Sequence, residues 1–411
     1  MYRRNIEDNL LLALTDTPVV VLNGARQTGK TTLVKKLATA ISASYVTLDD
    51  ATTLAAASFD PQGFINGFKG NVIIDEIQKA PTLFPAIKIS VDRNRQPGRF
   101  LLTGSANVLL LPRLSESLAG RMEIITLAPL SQGEMRNRKE SFVDWVFAKQ
   151  SNLSDHRFDA DYVEAVLAGG FPEAVQRTPG RRRDAWFSAY ITALLQRDIR
   201  DLANIEGLTD MPRLLSLIAG RVGGLLNMSE LSRSSGIPNT TLKRYLSLLK
   251  ATYLFTPLSA WSSNPGKKVI KAPKIQLIDS GLTAFLTGQT SETLNRNPAF
   301  FGHLLESFVI GELCKQLTWA EKQVQLFHYR TLTGIEVDVV MEDRRGYLVG
   351  MEVKASATVK KKNFSGLRTL AEQNGDRFLQ GIVLYTGNQI IPFGPKLLAL
   401  PVSALWNINA S

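Results

Sequence analysis

Sulfur and imidazole are scarce: the 411 residues include one cysteine, Cys314, and three histidines. One thiol closes no intramolecular disulfide, and so small a set of soft ligands excludes a zinc-finger type of centre. Cys314 is expected to be a small buried apolar residue. Long apolar runs are missing too, and no stretch reaches the roughly 18 to 20 residues that a membrane span needs. The N-terminal segment carries Glu7 and Asp8 where a signal peptide would be apolar, so a soluble, cytoplasmic protein with no membrane role is expected. Internal repeats and low-complexity linkers are also lacking. Positive charge is in surplus: 48 Lys and Arg stand against 37 Asp and Glu, a net charge of +11. It gathers at Arg181 to Arg183, at Lys267, Lys268, Lys271 and Lys274, and at Lys360 to Lys362. A clustered excess suggests a polyanionic partner such as DNA, although a solvated surface explains any single cluster.

A chain of this length needs more than one hydrophobic core. The first third alternates short apolar runs with helical patterns: Val19-Val20-Val21-Leu22, Tyr45-Val46-Thr47-Leu48, Val72-Ile73-Ile74 and Phe100-Leu101-Leu102 are each far enough apart for a crossover helix. That spacing predicts an α/β domain with a buried, mostly parallel sheet. The middle is helical, and the last third reads as a second α/β domain in which a long helix precedes three strand-like runs.

Gly24-Ala25-Arg26-Gln27-Thr28-Gly29-Lys30-Thr31 has the spacing of a phosphate-cradling loop, with a strand before it and a helix after it. Backbone N–H groups here surround phosphates, and the helix N-terminus adds partial positive charge. Lys30 is expected to reach the β- and γ-phosphates of ATP, and the Thr31 hydroxyl to ligate magnesium, with Thr32 following in the same turn. A carboxylate at the end of a neighbouring strand is also required. Val72-Ile73-Ile74-Asp75-Glu76 supplies two, Asp75 for the magnesium shell and Glu76 to polarise the attacking water. Ser105, after a third strand, is a candidate γ-phosphate sensor; a plain strand-to-turn signal is the alternative. Arg121 is a candidate source of transition-state charge for ATP in its own or a neighbouring subunit, with a surface arginine as the rival.

These motifs, with Ile-Ile-Asp-Glu-Ile-Gln-Lys-Ala-Pro, Leu-Leu-Thr-Gly-Ser-Ala-Asn and Leu-Ala-Gly-Arg, resemble the prokaryotic AAA-type ATPase family fused to a C-terminal domain of formerly unknown function. Gly169-Gly170-Phe171-Pro172-Glu173, Leu195-Gln196-Arg197-Asp198-Ile199 and Asp279-Ser280-Gly281-Leu282 extend the resemblance over nearly the whole chain. It implies a cytoplasmic ATPase with a winged-helix segment and a restriction-endonuclease-like tail.

In the middle, Ser229 is expected to cap one short helix and Asn239 a second, with Gly236-Ile237-Pro238 as the turn. The second helix bears Thr240, Lys243 and Arg244 on its polar face, which is expected to meet DNA. The segments 254–261 and 269–278 are read as wing strands, joined by a basic tip with Lys267 and Lys268. A winged helix serving only as a lid or subunit contact is the alternative.

Near the C-terminus, Glu306 lies on a helix ahead of a strand bearing Asp338, and a further strand places Glu352 and Lys354 on one face. Carboxylates beside a lysine suit metal-assisted phosphodiester hydrolysis, with Asp338 and Glu352 as magnesium ligands. The set resembles the PD-(D/E)xK nuclease superfamily, with Val337 where its name has proline. The fold also serves as a DNA-binding or interaction module, and Glu-x-Lys alone is a common strand-edge sequence. His303 and His328 are expected to be ordinary packed or surface residues.

The expected organisation is a P-loop ATPase domain over 1–135, a helical lid-like region over 136–224, a winged helix over 225–290 and a nuclease-like domain over 291–411. The expected protein is a homo-oligomeric, magnesium-dependent ATPase acting on DNA, with branched or structured DNA among the candidate partners. The alternative is a regulatory or scaffolding ATPase that binds protein partners, its tail non-catalytic.

Overall fold

A computed structural model describes residues 2–105, 118–148, 161–178, 180–199, 208–263 and 272–408. Five strands, β1 (Val19–Asn23), β2 (Ser44–Thr47), β3 (Val72–Asp75), β4 (Phe100–Gly104) and β5 (Met122–Thr126), pair in the order β2-β3-β4-β1-β5, all parallel. Strands covered on both faces must be apolar throughout, and β1, β3 and β4 are buried along their whole length. The period of two then divides them. Val20 and Leu22 pack under α1 (Glu7–Asp16) and α2 (Lys30–Ala40), whereas Val19 and Val21 face α3 (Ala51–Phe59), α4 (Pro61–Asn66) and α5 (Leu83–Arg93). Because β4 separates β1 from β3, the phosphate-loop end and the carboxylate end flank the end of β4.

The second sheet has six strands where three runs were expected: β6 (Val324–Arg330), β7 (Glu336–Asp343), β8 (Leu348–Lys354), β9 (Phe378–Tyr385), β10 (Ile391–Gly394) and β11 (Leu397–Pro401). Their order is β10-β11-β9-β8-β7-β6, with β6, β7 and β8 antiparallel and β8, β9 and β11 parallel. The 19-residue helix Pro298–Gln316, capped by the Asn297 side chain, packs Phe308, Val309 and Leu313 on one face of this sheet. Helix Ser365–Asn374 covers the other with Leu367 and Leu370. Cys314 is exposed, contrary to expectation, because it shares the outer stripe of that long helix with half-exposed Gly311, three residues earlier.

The helical middle divides between two cores. Phe142, Val146, Tyr162 and Val166 join the core of the C-terminal sheet. Phe171, Trp186, Phe187 and Tyr190 instead build a separate core with Leu214, Ile218, Leu231, Leu242 and Leu249. Within this core, helices Met228–Ser235 and Asn239–Ala251 form a helix-turn-helix around Gly236, whose φ of 74° suits glycine. Asn227, rather than Ser229, caps the first: its side chain accepts from the Glu230 N–H at 3.1 Å. Asn239 is the first residue inside the second helix, which follows Pro238 without a side-chain cap. Among the described residues, the segments read as wing strands meet only through the isolated bridges Phe255↔Leu277 and Leu258↔Lys274.

A buried polar junction joins the two sheets. Helix Gln132–Met135 leaves three N–H groups at its start without helical partners, and each finds a side chain. Gln132 N–H donates to Glu312 at 2.8 Å, Gly133 N–H to Glu140 at 2.6 Å and Glu134 N–H to Ser131 at 3.0 Å. Lys315 pairs with Glu312 at 2.6 Å and donates to the Leu130 carbonyl at 2.9 Å. Glu134 accepts from the Asn5 N–H at 2.7 Å and pairs with Arg4 at 3.1 Å. Asn5 Nδ2 donates to Glu140 at 2.6 Å.

Burial, and then the charge of Glu312, push the Glu140 carboxyl up to about 7. A folded pKa above the unfolded one means that the native state holds the proton more tightly. Stability from this group is therefore complete below about pH 4.5 and lost as pH rises toward 7. Glu140→Gln should remove a loss on the order of 2 kcal/mol across that window. Thermal melts of wild type and variant between pH 5 and 7.5 check this; parallel curves would refute it.

Candidate functional site

β1 runs into the loop over residues 24–29, and α2 begins at Lys30. Gly24 has φ 140°, and a Cβ there would strike the Leu127 carbonyl; Gly29, at φ 97°, turns the chain into the helix. Lys30 is buried and donates to the carbonyls of Gly24 and Ala25, each at 2.8 Å, so its ammonium lies across the inside of the loop. Thr28 is fully buried, Gln27 takes a left-handed φ of 60° at the exposed tip, Arg26 is half-buried, and Thr32 is exposed in the first helical turn.

Asp75 is the centre of the opposite wall. Its Oδ2 accepts from Thr31 Oγ1 and Tyr45 OH, both at 2.8 Å, and its Oδ1 accepts from Thr103 Oγ1. Burial and the bond to Asp75 push the Tyr45 hydroxyl above its ordinary range, which keeps it a donor. The Thr31 hydroxyl and an Asp75 oxygen side by side are a hard-oxygen pair of the type that suits magnesium. Glu76 follows at φ 61°, an unfavourable conformation for a side-chain-bearing residue, held by its N–H donating to Thr103 Oγ1 at 3.1 Å. Its carboxylate accepts from Gln78 Nε2 and, at 3.3 Å, from Ser105 Oγ, while Gln78 also donates to Ser105 at 3.0 Å.

The structure therefore brings together Lys30, Thr31, Asp75, Glu76 and Ser105. It does not bring Arg121 to its own loop. Arg121 precedes β5, which runs parallel to β1, so it lies at the opposite end of the sheet, paired with Asp92 at 2.6 Å. The arginine that does reach the loop is Arg4, whose Nη1 donates to the Thr28 carbonyl at 2.7 Å. Arg4, Tyr45, Gln78 and Thr103 were not singled out from the sequence. Two of them carry a local signal: Gln78 stands two residues beyond the acidic pair and Thr103 two residues before Ser105.

In the C-terminal domain, β7 and β8 set Asp338 beside Glu352, and Asp338 Oδ2 accepts from the Val353 N–H at 2.9 Å. Glu306 reaches the same place from the long helix. These carboxylates are already in ion pairs: Lys354 binds Glu352 at 2.7 Å and lies 3.7 Å from Asp338. Lys274 binds Glu306 at 2.6 Å and Asp338 at 3.3 Å. Burial, then repulsion from Asp338, push Glu306 up to about 7 and Glu352 up to about 8. Burial opposes the charge of Lys274, but Glu306 and Asp338 outweigh it and raise its pKa. The expected magnesium ligation by Asp338 and Glu352 does not fit this arrangement. Among the described residues no group of three or more His, Cys, Asp or Glu is disposed to hold a metal.

Thr240, Lys243 and Arg244 are exposed on helix Asn239–Ala251, while Leu242, Leu246 and Leu249 are buried. Lys267 and Lys268 lie outside the described residues. His328 is buried, and its Nε2 donates to the Ala272 carbonyl at 3.1 Å. No helix among the described residues is long and apolar enough to cross a membrane.

Residues 16–136 match the family described as AAA domain. Residues 159–293 match a domain of unknown function (DUF8612), and residues 301–405 another (DUF4143). Similar proteins include the uncharacterized protein Rv2008c of Mycobacterium tuberculosis and the uncharacterized protein Mb2031c of Mycobacterium bovis. Each is 32% identical, over 98% of this chain and 84% of its own length. Among solved structures, the Walker-type ATPase PABY2304 of Pyrococcus abyssi is 14% identical with a TM-score of 0.41, over 70% of this chain and 96% of its own. The Thermotoga maritima RuvB Holliday junction branch migration motor is 16% identical with a TM-score of 0.31, over 72% and 94%. The chain belongs to the family of these mycobacterial proteins and is an AAA-type P-loop ATPase.

Proposed function

We propose that this ATPase is magnesium-dependent and acts on DNA, its nucleotide state governing how the helix-turn-helix and the C-terminal module engage that partner. The contact between Thr31 and Asp75, with Glu76 next in the chain, carries the first half of the reading. The N–H groups of residues 25–31 bind the phosphates, and Lys30 exchanges its loop carbonyls for phosphate oxygens. Thr31 and Asp75 would hold magnesium, which would supply positive charge against the phosphates. Glu76, oriented by Gln78 and Ser105, accepts the proton of the attacking water. Arg121, remote from its own loop, serves the loop of a neighbouring subunit in a homo-oligomer.

DNA is favoured by the exposed Thr240, Lys243 and Arg244, by the net charge of +11, and by a cleft of about 380 Å³ lined by Lys354, Lys360, Lys362, Ser356 and Thr358. This is the nuclease-like domain of the sequence reading, and its helix, mixed sheet and acidic cluster support that assignment. A second reading is a regulatory ATPase that binds protein partners through a non-catalytic tail. It is favoured by the ion pairs that already engage the acidic cluster.

Lys30→Ala should abolish binding of a fluorescent ATP analogue, and retained binding would refute the site. Glu76→Gln should keep that binding and lose turnover by about 100-fold or more, measured as phosphate release. DNA association of the wild type should weaken steeply with salt. The Lys243→Ala/Arg244→Ala variant should lower the slope of log affinity against log salt by about two. Association that ignores both salt and these substitutions would favour the protein-binding reading.

A further inference from the structure

Lys274 belongs to the middle module but ends in the acidic cluster of the C-terminal domain. It is 3% exposed, and its ammonium lies 2.6 Å from Glu306 Oε1 and 3.3 Å from Asp338 Oδ1. Its backbone is fixed from several sides. Lys274 and Leu258 exchange both backbone hydrogen bonds, at 2.8 and 3.0 Å. On one flank the Ala272 carbonyl meets His328 of β6, and on the other Gln276 Oε1 accepts from Ser307 of the long helix at 2.6 Å. Trp261 N–H donates to the His328 carbonyl and His328 N–H to Ser259, so the partner segment of Lys274 is itself bonded to the edge of β6. The side chain is thus delivered by a docked segment rather than by a free arm.

We infer that Lys274 is a built-in countercation: it takes the place among Glu306 and Asp338 that a divalent metal needs, so the C-terminal module neither binds such a metal nor cuts phosphodiesters while this segment is docked. The inference rests on reading Glu306, Asp338, Glu352 and Lys354 as a nuclease-like set. Every oxygen of Asp338 has a partner: Oδ1 has Lys274, and Oδ2 has the Val353 N–H and, more distantly, Lys354. A divalent ion of this kind requires carboxylate oxygens at about 2.0–2.6 Å, which an ammonium among the same oxygens prevents by both volume and charge. Glu306, Asp338 and Glu352 face two ammoniums in the wild type and would face Lys354 alone without Lys274. Removing Lys274 alone should therefore create an affinity for divalent cations that the wild type lacks.

The test uses the full chain without nucleotide, with Mn2+ alone as the probe and thermal unfolding as the readout. Wild type and Asp338→Ala should respond identically to Mn2+. Lys274→Met should gain an Mn2+-dependent rise of about 3 °C in Tm, absent from Lys274→Met/Asp338→Ala. Lys274→Gln, whose neutral amide can still hydrogen-bond Glu306 and Asp338, carries the same comparison if Lys274→Met folds poorly. A response in the wild type that Asp338→Ala removes would overturn the role of Lys274 and leave the nuclease-like reading standing. No Asp338-dependent gain in either folded Lys274 variant would sink both. ATP turnover and DNA association of the wild type are independent of these outcomes.

Discussion

Carboxylates removed from water must be paired or they unfold their surroundings, and Glu134, Glu140 and Glu312 are all buried at the meeting of the two sheets. That requirement determines how the halves of the chain fit together. Glu140 and Glu312 accept from backbone N–H groups of a four-residue helix too short to be stable alone, Glu134 within that helix accepts from the Asn5 and Ser131 N–H groups, and Arg4 and Lys315 supply the positive charge. Arg4 also holds the Thr28 carbonyl. The phosphate loop and the long C-terminal helix are thereby anchored to the same small piece of backbone, the loop by one arginine and the helix by Glu312 and Lys315.

The ATP site was legible where chemistry follows from short spacing. A glycine loop between strand and helix, and two acids at the end of an apolar run, need only local sequence to be recognised. The residues that complete the site depend on strand order. Tyr45 reaches Asp75 because β2 pairs with β3, and Thr103 lies beneath both motifs because β4 is inserted between β1 and β3. For Arg121 the motif names the residue and the strand order limits the loop it can serve: parallel pairing of β5 with β1 puts it at the end of the sheet away from its own phosphate loop.

The second domain shows the same division. Glu306, Asp338, Glu352 and Lys354 were identified from helix and strand patterns, and the sheet gathers them. Lys274 was counted only as one member of a basic cluster, because its partners are 32 and 64 residues away and are reached through isolated bridges rather than a strand. Long-range ion pairs leave no periodic trace in a sequence. Helix caps failed on a smaller scale: Asn227 and Ser229 are both good caps, and only the backbone conformation decides between them.

Helix Pro298–Gln316 carries Glu306 toward the acidic cluster and Glu312 and Lys315 toward the junction, and it presents Cys314 outward between them. The chain has no other thiol. A single fluorophore or spin label can therefore be attached to the unaltered sequence at alkaline pH, where a thiol pushed up to about 11 by its surroundings forms thiolate, on a rod that touches both centres. Any rotation of that rod on nucleotide binding becomes an optical or magnetic signal without an engineered cysteine.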